Sequence, residues 1–453
     1  MRTLIISDLH LGNGGPYDSF AGGEALPALI DQATKSGARI FVNGDGVDFL
    51  MNEEALELDV ERAVGQARSI IAYPSSAAVF ASMGRALAAG SEVVFRLGNH
   101  DVELALPEVQ AVLRGALGQP PAVAAKLAFQ LGDEPAIFDV GGARVLVTHG
   151  EHNDTWNRID DWKSLLAKSK KFKFAPGSEL VKKLLNPLTH DYKLKFANLL
   201  KPDFQGAALT ALAVDPRAMK VILKKATASI LWQLFRKKPG AADNFDEEAE
   251  TNLGLAKGVK EAGLSEEEQA AMEEYLVGEG VGSFADDDEE GPFGKARLKM
   301  AKAGLGLYAK LQRKVTGTQG DTFFALDPSP EEWTEAQRLA KKHNVRAVII
   351  GHTHAARWGQ KDGLVFANTG TWIWLMQLPA HNAGDAAWMD FLAELKKNPS
   401  LDPAKQKVAR TISRFTAVEL DEAPAGGAKI SLVEWVPGEG LRSLGSAVVA
   451  KSS

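Results

Sequence analysis

At 453 residues with 45% hydrophobic and 24% charged content, the chain can bury one large core or two and has the make-up of a globular protein, not a disordered one. Cysteine is absent, which excludes disulfides and thiolate ligands and leaves imidazole, carboxylate and amide oxygen as donors for any metal. The net charge of −6 conceals a polarity: residues 162–238 carry 17 Lys/Arg against 4 Asp/Glu, whereas residues 239–290 carry 2 against 17.

In chain order, Leu4-Ile5-Ile6 reads as a first strand and ends in Asp8-Leu9-His10. This apolar run is too short for a signal peptide. A helix over 25–36 leads to Ile40-Phe41-Val42, which ends in Gly44-Asp45-Gly46-Val47-Asp48. Helices over 53–71 and 76–89 lead to Val93-Val94-Phe95 and then to Gly98-Asn99-His100-Asp101. After a helix over 108–117, strands are predicted at 127–131, 136–140 and 143–147, the last ending in His149-Gly150. Alternating strands and helices of this kind mark a layered α/β sheet.

From 156 to 330 the pattern is helix after helix, with breaks at Pro176, Pro187, Pro202, Pro216, Pro239 and Pro292. It reads as an insertion, because a strand followed by acidic or histidine residues returns only at Val345. Part of its acidic tail, 243–290, reads as a mobile loop. A helix over 331–343 precedes Val348-Ile349-Ile350, which ends in Gly351-His352-Thr353-His354. Segments 411–420 and 429–436 read as a closing β-hairpin. The expected division is therefore 1–155 and 331–453 as the two parts of one core, with 156–330 between them. No apolar run reaches the length of a membrane-spanning helix.

Five β-branched runs end in Asp, Asn or His, and in open α/β sheets ligands bind beyond the carboxyl ends of strands, so the five ends can converge on one site. The residues suit a pair of metal ions, which needs a bridging carboxylate and oxygen and nitrogen donors on each side. Asp45 lies between two glycines, which allows close approach to its carboxylate. Taken singly, an Asp after a strand is usually a turn or cap residue. Five of the nine histidines, however, fall in these motifs. His190, His343 and His381 read as solvent or packing residues, and Asp48 and Asp101 divide between helix caps and supports of the site.

The order Asp-x-His, Gly-Asp-x-x-Asp, Gly-Asn-His-Asp, His, Gly-His-x-His resembles the calcineurin-like metallophosphoesterase family over 1–155 and 345–375. That resemblance implies a four-layer α-β-β-α sandwich of two mixed sheets, here with a large helical insertion. It also implies a dinuclear centre of divalent transition metals (Mn, Fe or Zn) acting on a phosphate ester, with a metal-bound hydroxide attacking phosphorus in line. By position, Asp8, His10 and His354 would hold one ion and Asn99, His149 and His352 the other, with Asp45 as the bridge. His100 would act on the leaving group, while Asp48 and Asp101 would orient His100 or a ligand histidine. Asn368-Thr369-Gly370-Thr371 matches the turn that follows the family's last histidine motif, where it supports the ligand loop; a plain hairpin turn is the other reading. Arg158 and His152 lie where a substrate could be held.

For the insertion, three readings compete. The first is a lid packed on the core with solvated lysines, the second a surface for anionic lipid, and the third a surface for nucleic acid. They translate into a cytoplasmic enzyme, peripheral at the membrane under the second reading. Within the enzyme class the candidates are a lipid-linked nucleotide pyrophosphatase and a nuclease. The alternative from another class is a non-catalytic scaffold that binds a partner or membrane through the insertion.

Overall fold

The computed structural model describes residues 2–200, 207, 210, 211, 214–218, 221, 324–377, 385–407 and 410–451. Its strands, in order, are β1 (Thr3–Ile6), β2 (Arg39–Asn43), β3 (Val93–Arg96), β4 (Ala128–Gln130), β5 (Ala136–Val140), β6 (Ala143–Val147), β7 (Ala347–Ile350), β8 (Arg357–Lys361), β9 (Leu364–Asn368), β10 (Leu375–Gln377), β11 (Arg410–Ile412), β12 (Thr416–Glu422), β13 (Ala428–Val436) and β14 (Gly440–Val449). Two mixed, open sheets result. One has the order β14-β13-β12-β1-β2-β3-β4, parallel from β1 to β4 and antiparallel beyond; the other is β5-β6-β7-β9-β8, with β6, β7 and β9 parallel. β10 and β11 pair separately.

The apolar runs of β1 and β2 are continuous because both faces of their sheet are covered. Ile5 and Phe41 turn toward Val145, Val147, Ile349 and Val365 of the other sheet. Leu4, Ile6, Ile40 and Val42, one residue out of phase, turn toward the helices Ala25–Lys35, Val60–Ala72, Pro74–Ala88 and Pro107–Gly115. On the far side of the second sheet, Ala336 and Leu339 of the helix Pro330–His343 pack with Leu146, Val348 and Phe366. Helix, sheet, sheet and helix thus follow one another, consistent with a sandwich. The carboxyl ends of β1, β2, β3, β6 and β7 are free for chemistry.

The connection from β6 to β7 packs back over those ends. Leu180, Val181, Leu184, Leu185 and Leu188 share a core with Leu50 and Met51 from the loop after β2 and with Phe391, Leu392 and Leu395. Each fully buried leucine contributes roughly 1.5–3 kcal/mol to that packing. Pro187 does not break this arm as its sequence suggests. Pro176–Leu180 runs through a π turn, Val181–Leu185, into Asn186–His190. A proline ring cannot donate an N–H and crowds the carbonyl four residues earlier, so the ladder widens by one residue ahead of Pro187 and the helix continues.

Other departures have local causes. The second helix begins at Val60 instead of near 53, because the Asp59 side chain accepts a hydrogen bond from Arg62 N at 3.1 Å and caps it there. The helix Asp385–Lys397 and the third C-terminal strand, β14, were not predicted. The acidic stretch 243–290 and the basic run 230–238 lie outside the described residues. Among the described residues, no helix is long and apolar enough to cross a membrane.

Candidate metal centre

Where β1, β2 and β7 end, the backbone turns left-handed at residues that carry side chains: φ is 52° at Asp8, 45° at His10, 50° at Asp45, 68° at His352 and 62° at His354. Such conformations cost about 1–3 kcal/mol each and persist only where the surroundings enforce them. Here the loops are laced together. Asp8 N donates to Gly44 O (3.2 Å), His10 N to Asp45 O (2.9 Å), Leu11 N to Gly46 O (3.1 Å) and Asp48 N to Leu11 O (3.0 Å). The glycines that flank this lacing are spatial requirements. A Cβ at Gly44 would collide with the His149 ring, and one at Gly98 with the carboxylate and amide of Asp45.

The result is three buried groups, each able to hold a metal ion: Asp8, His10 and His354; Asp45, His149 and His352; and His10, Asp48 and His100. His10 Nε2 lies 3.2 Å from His354 Nε2, and His354 Nε2 lies 3.5 Å from Asp8 Oδ1. His149 Nε2 is 3.3 Å from Asp45 Oδ2, and His10 Nε2 is 3.9 Å from the same oxygen, so Asp45 faces both of the first two groups.

The donor chemistry fits a cation. Asp8 Oδ1 and Asn99 Oδ1 are buried without a hydrogen-bond partner, a costly arrangement that a bound cation would relieve. In three of the imidazoles the opposite nitrogen is held, as ligands require. His10 Nδ1 is 2.9 Å from Asp48 Oδ2, His149 Nδ1 is 2.9 Å from Asn43 O, and His352 Nε2 is 3.1 Å from Asp154 Oδ2.

The field is that of a cation site. Burial alone would neutralise His149, yet Asp45, Asp8 and Glu151 push its pKa up to about 10. Burial would likewise raise Asp45, but His149, His100 and His10 hold it well below the usual carboxylate range. Asp8, more completely dominated by burial, is raised. Asp154, although buried, is drawn down to about 2 by His352, Asn157 and the Trp156 amide.

His100 stands at the edge of this arrangement. Its amide donates to Asp45 Oδ1 (2.8 Å) and its Nδ1 lies 3.2 Å from Asp48 Oδ1, so one carboxylate, Asp48, touches both His10 and His100. Burial lowers the His100 pKa, with Asp48 and Asp45 opposing. Asp101 behaves differently from its expected role. Among the described residues it hydrogen-bonds to no imidazole; its oxygens accept from Gly98 N (2.6 Å) and Gly46 N (2.8 Å) and lock two loops together. Asn368 spans the last histidine loop, donating to Gly351 O (3.0 Å) and Thr353 Oγ1 (2.9 Å) while accepting from Gly370 N (2.9 Å).

The two expected substrate contacts are not brought into these groups. Arg158 pairs at the surface with Asp160 (2.6 Å), and His152 sits 3.4 Å from Glu335 on the helix Pro330–His343. Three residues were missed. Asp154 holds His352. Asn186 donates from the connection to Leu50 O (2.8 Å) and Asn52 O (2.7 Å), and Lys182 donates to Asn52 O (3.1 Å) and to the Asn52 side chain. Asp154 follows His149 by five positions, a spacing that hinted at it; nothing local to Asn186 or Lys182 announces a contact more than a hundred residues away.

No known family model matches the chain, and no curated protein matches it.

Proposed function

We propose that the protein is a metal-dependent phosphoric ester hydrolase of the calcineurin-like metallophosphoesterase type. The observation that carries this reading is the convergence of three buried His/Asp groups, with unpartnered donor atoms, at the carboxyl ends of parallel strands. Asp8, His10 and His354 would hold one divalent ion, Asn99, His149 and His352 a second, and Asp45 would face both. Bound there, Mn, Fe or Zn ions supply Lewis acidity toward phosphoryl oxygens and lower the pKa of water. Asp48 fixes the His10 and His100 rings from one side, and Asp154 fixes His352. His100, 7% exposed, is positioned to give a proton to the departing alcohol oxygen. The connection from β6 to β7 acts as a lid over the strand ends, which favours the first of its three readings over a lipid or nucleic-acid surface.

The test begins with purified protein stripped by chelator and reloaded with Mn²⁺, Fe²⁺ or Zn²⁺. Elemental analysis is expected to find metal retained after desalting, and hydrolysis of p-nitrophenyl phosphate or bis(p-nitrophenyl) phosphate to return with it. Retained metal with no turnover of any ester would favour the scaffold reading. A chain that retains no metal would end both the assignment and its site.

A further inference from the structure

A cavity of about 540 Å³ opens from His10 and Asp48 and runs outward between the loop after β1, the segment before the helix Val60–Ala72, and His190 of the β6–β7 connection. Three observations bear on what it takes. Among its described lining residues there is no lysine or arginine, while Asp18, Asp48, Glu53 and Glu54 all line it. Lys182 acts on Asp48 and Glu54, and Lys195 on Asp18, from outside that lining. Second, the Ser19 hydroxyl is unpartnered, on a wall residue only 2% exposed. Third, the outer wall is already assembled. The Tyr17 and His190 rings stack at 5.7 Å, Tyr17 O–H donates to Glu53 (3.1 Å), and His190 Nδ1 lies 2.7 Å from the same carboxylate.

A second phosphate in this cavity would face carboxylates with no guanidinium or ammonium in the lining to receive it, whereas hydroxyl or ammonium donors would meet acceptors on every side. We propose that the cavity receives the leaving alcohol of the ester and selects one rich in hydrogen-bond donors and free of further negative charge. That chemistry belongs to polyhydroxy alcohols and to amino alcohols alike. The proposal rests on the hydrolase reading for the direction in which the substrate lies, with phosphorus at the metal centre and the alcohol outward.

The experiment uses the full-length Mn²⁺-loaded protein and pairs of esters that differ in one charged group. Fructose 1-phosphate is compared with fructose 1,6-bisphosphate, and ethylene glycol phosphate with phosphoethanolamine. The monophosphate is expected to exceed the bisphosphate in kcat/KM by about 10-fold or more, the scale on which like-charge contacts enforce specificity. Gln66→Lys, which places a cation in the wall at a residue of the helix Val60–Ala72, is expected to narrow that ratio. A faster phosphoethanolamine identifies an amino alcohol and a faster glycol ester a polyhydroxy one; either result supports the selection. Equal or preferred turnover of the bisphosphate overturns the proposal and leaves the hydrolase reading intact. If no ester is hydrolysed, p-nitrophenyl phosphate included, the hydrolase reading falls, and the same pairs are measured by calorimetric binding. Tighter binding of the monophosphate then still supports a donor-selective cavity, and equal or weaker binding overturns it.

Discussion

The metal centre and the cavity beside it are neighbours built by opposite means. At the centre, backbone does the holding: left-handed residues, glycines that admit a carboxylate, and amides donating to Asp8, Asp45 and Asp101 fix each side chain from a different strand end. In the cavity, side chains do the holding, and they come from segments far apart in sequence, as when His190 and Tyr17 meet on Glu53 or Asn186 and Lys182 grip Asn52. The first arrangement leaves little room for substitution, since its buried side chains and close-set glycines hold one another in place. The second can be altered residue by residue. Under the proposed hydrolase reading, chemistry would belong to the core of the fold, and choice of substrate to what the connection lays over it.

The largest effect is expected at the hub of the first region. Asp45→Asn removes the one carboxylate that faces both metal groups, and it also weakens the acceptor that holds the His100 amide. Its cost in metal affinity and kcat should exceed the roughly 10–100-fold that follows from losing an outer partner of a ligand. Elemental analysis after desalting and steady-state rates would measure both, and full metal retention would show that Asp45 bridges nothing.

Next comes His100→Asn, which should keep metal and lose activity selectively. On an alkyl phosphate, whose departing oxygen needs a proton, the loss should be about 10²–10⁴-fold. With nitrophenolate as leaving group it should be much smaller. Equal losses on the two substrates would move His100 from proton donor to structural support.

Asn186→Leu tests the boundary between the two regions. It takes one donor from Leu50 O, which keeps Asn52 N, and one from Asn52 O, which keeps Lys182 Nζ, and should cost roughly 0.5–1.5 kcal/mol of stability for each lost bond in thermal or denaturant unfolding. Because Asp48 Oδ1 also accepts from Leu50 N (3.0 Å) and Met51 N (3.1 Å), slack in this loop reaches the carboxylate that orients His10 and His100. A fall in kcat of about 10-fold is expected even for nitrophenyl phosphate. If kcat stays constant and only stability changes, the connection is separable from the chemistry.

This contrast also explains what could be read before the structure. The five strand-end motifs were legible because the backbone-built groups are local: each motif follows a buried strand within a few residues, and Ile5 and Phe41 on one face with Leu4 and Ile40 on the other announce those strands. Asp154 was less so, since an Asp near a turn is ordinary and only the His352 ring, 198 residues later, gives it a purpose. Arg158 and His152 stay outside the His/Asp groups for the complementary reason. Proximity in sequence to His149 did not carry them to the centre, because Asp160 and Glu335 claim them first. The helix Asp385–Lys397 went unread because Phe391, Leu392 and Leu395 bury themselves against the connection and not against the sheets. β14 went unread because, among its residues, only Val449 is buried, so it lacks the inward face that marks a strand. The π turn before Pro187 was hidden by the same tertiary packing, which holds a helix together where the proline alone argues for a stop.

The smallest expected effect lies in Glu103, which sits under the site and is read through stability instead of turnover. Burial pushes its carboxyl up to about 7, with Asp48 adding to the shift and its own amide and Lys182 opposing it. Lys182, for its part, is brought down to about 8 by burial, against the pull of Glu103, Asp48 and Glu54. For Glu103 the folded pKa is above the unfolded value, so the native state holds more protons between about pH 4.5 and 7, and stability declines as pH rises through that window. The full penalty is present above pH 7. Glu103→Gln removes the titration and keeps the shape, so it should flatten that decline and leave the variant more stable at pH 8 by an amount of order 1–3 kcal/mol. Denaturant unfolding at pH 5 and pH 8 would measure it: the variant and parent should lie closer together at pH 5. A variant less stable than the parent at pH 8 would mean that the attraction between Glu103 and Lys182 outweighs the burial of the carboxylate.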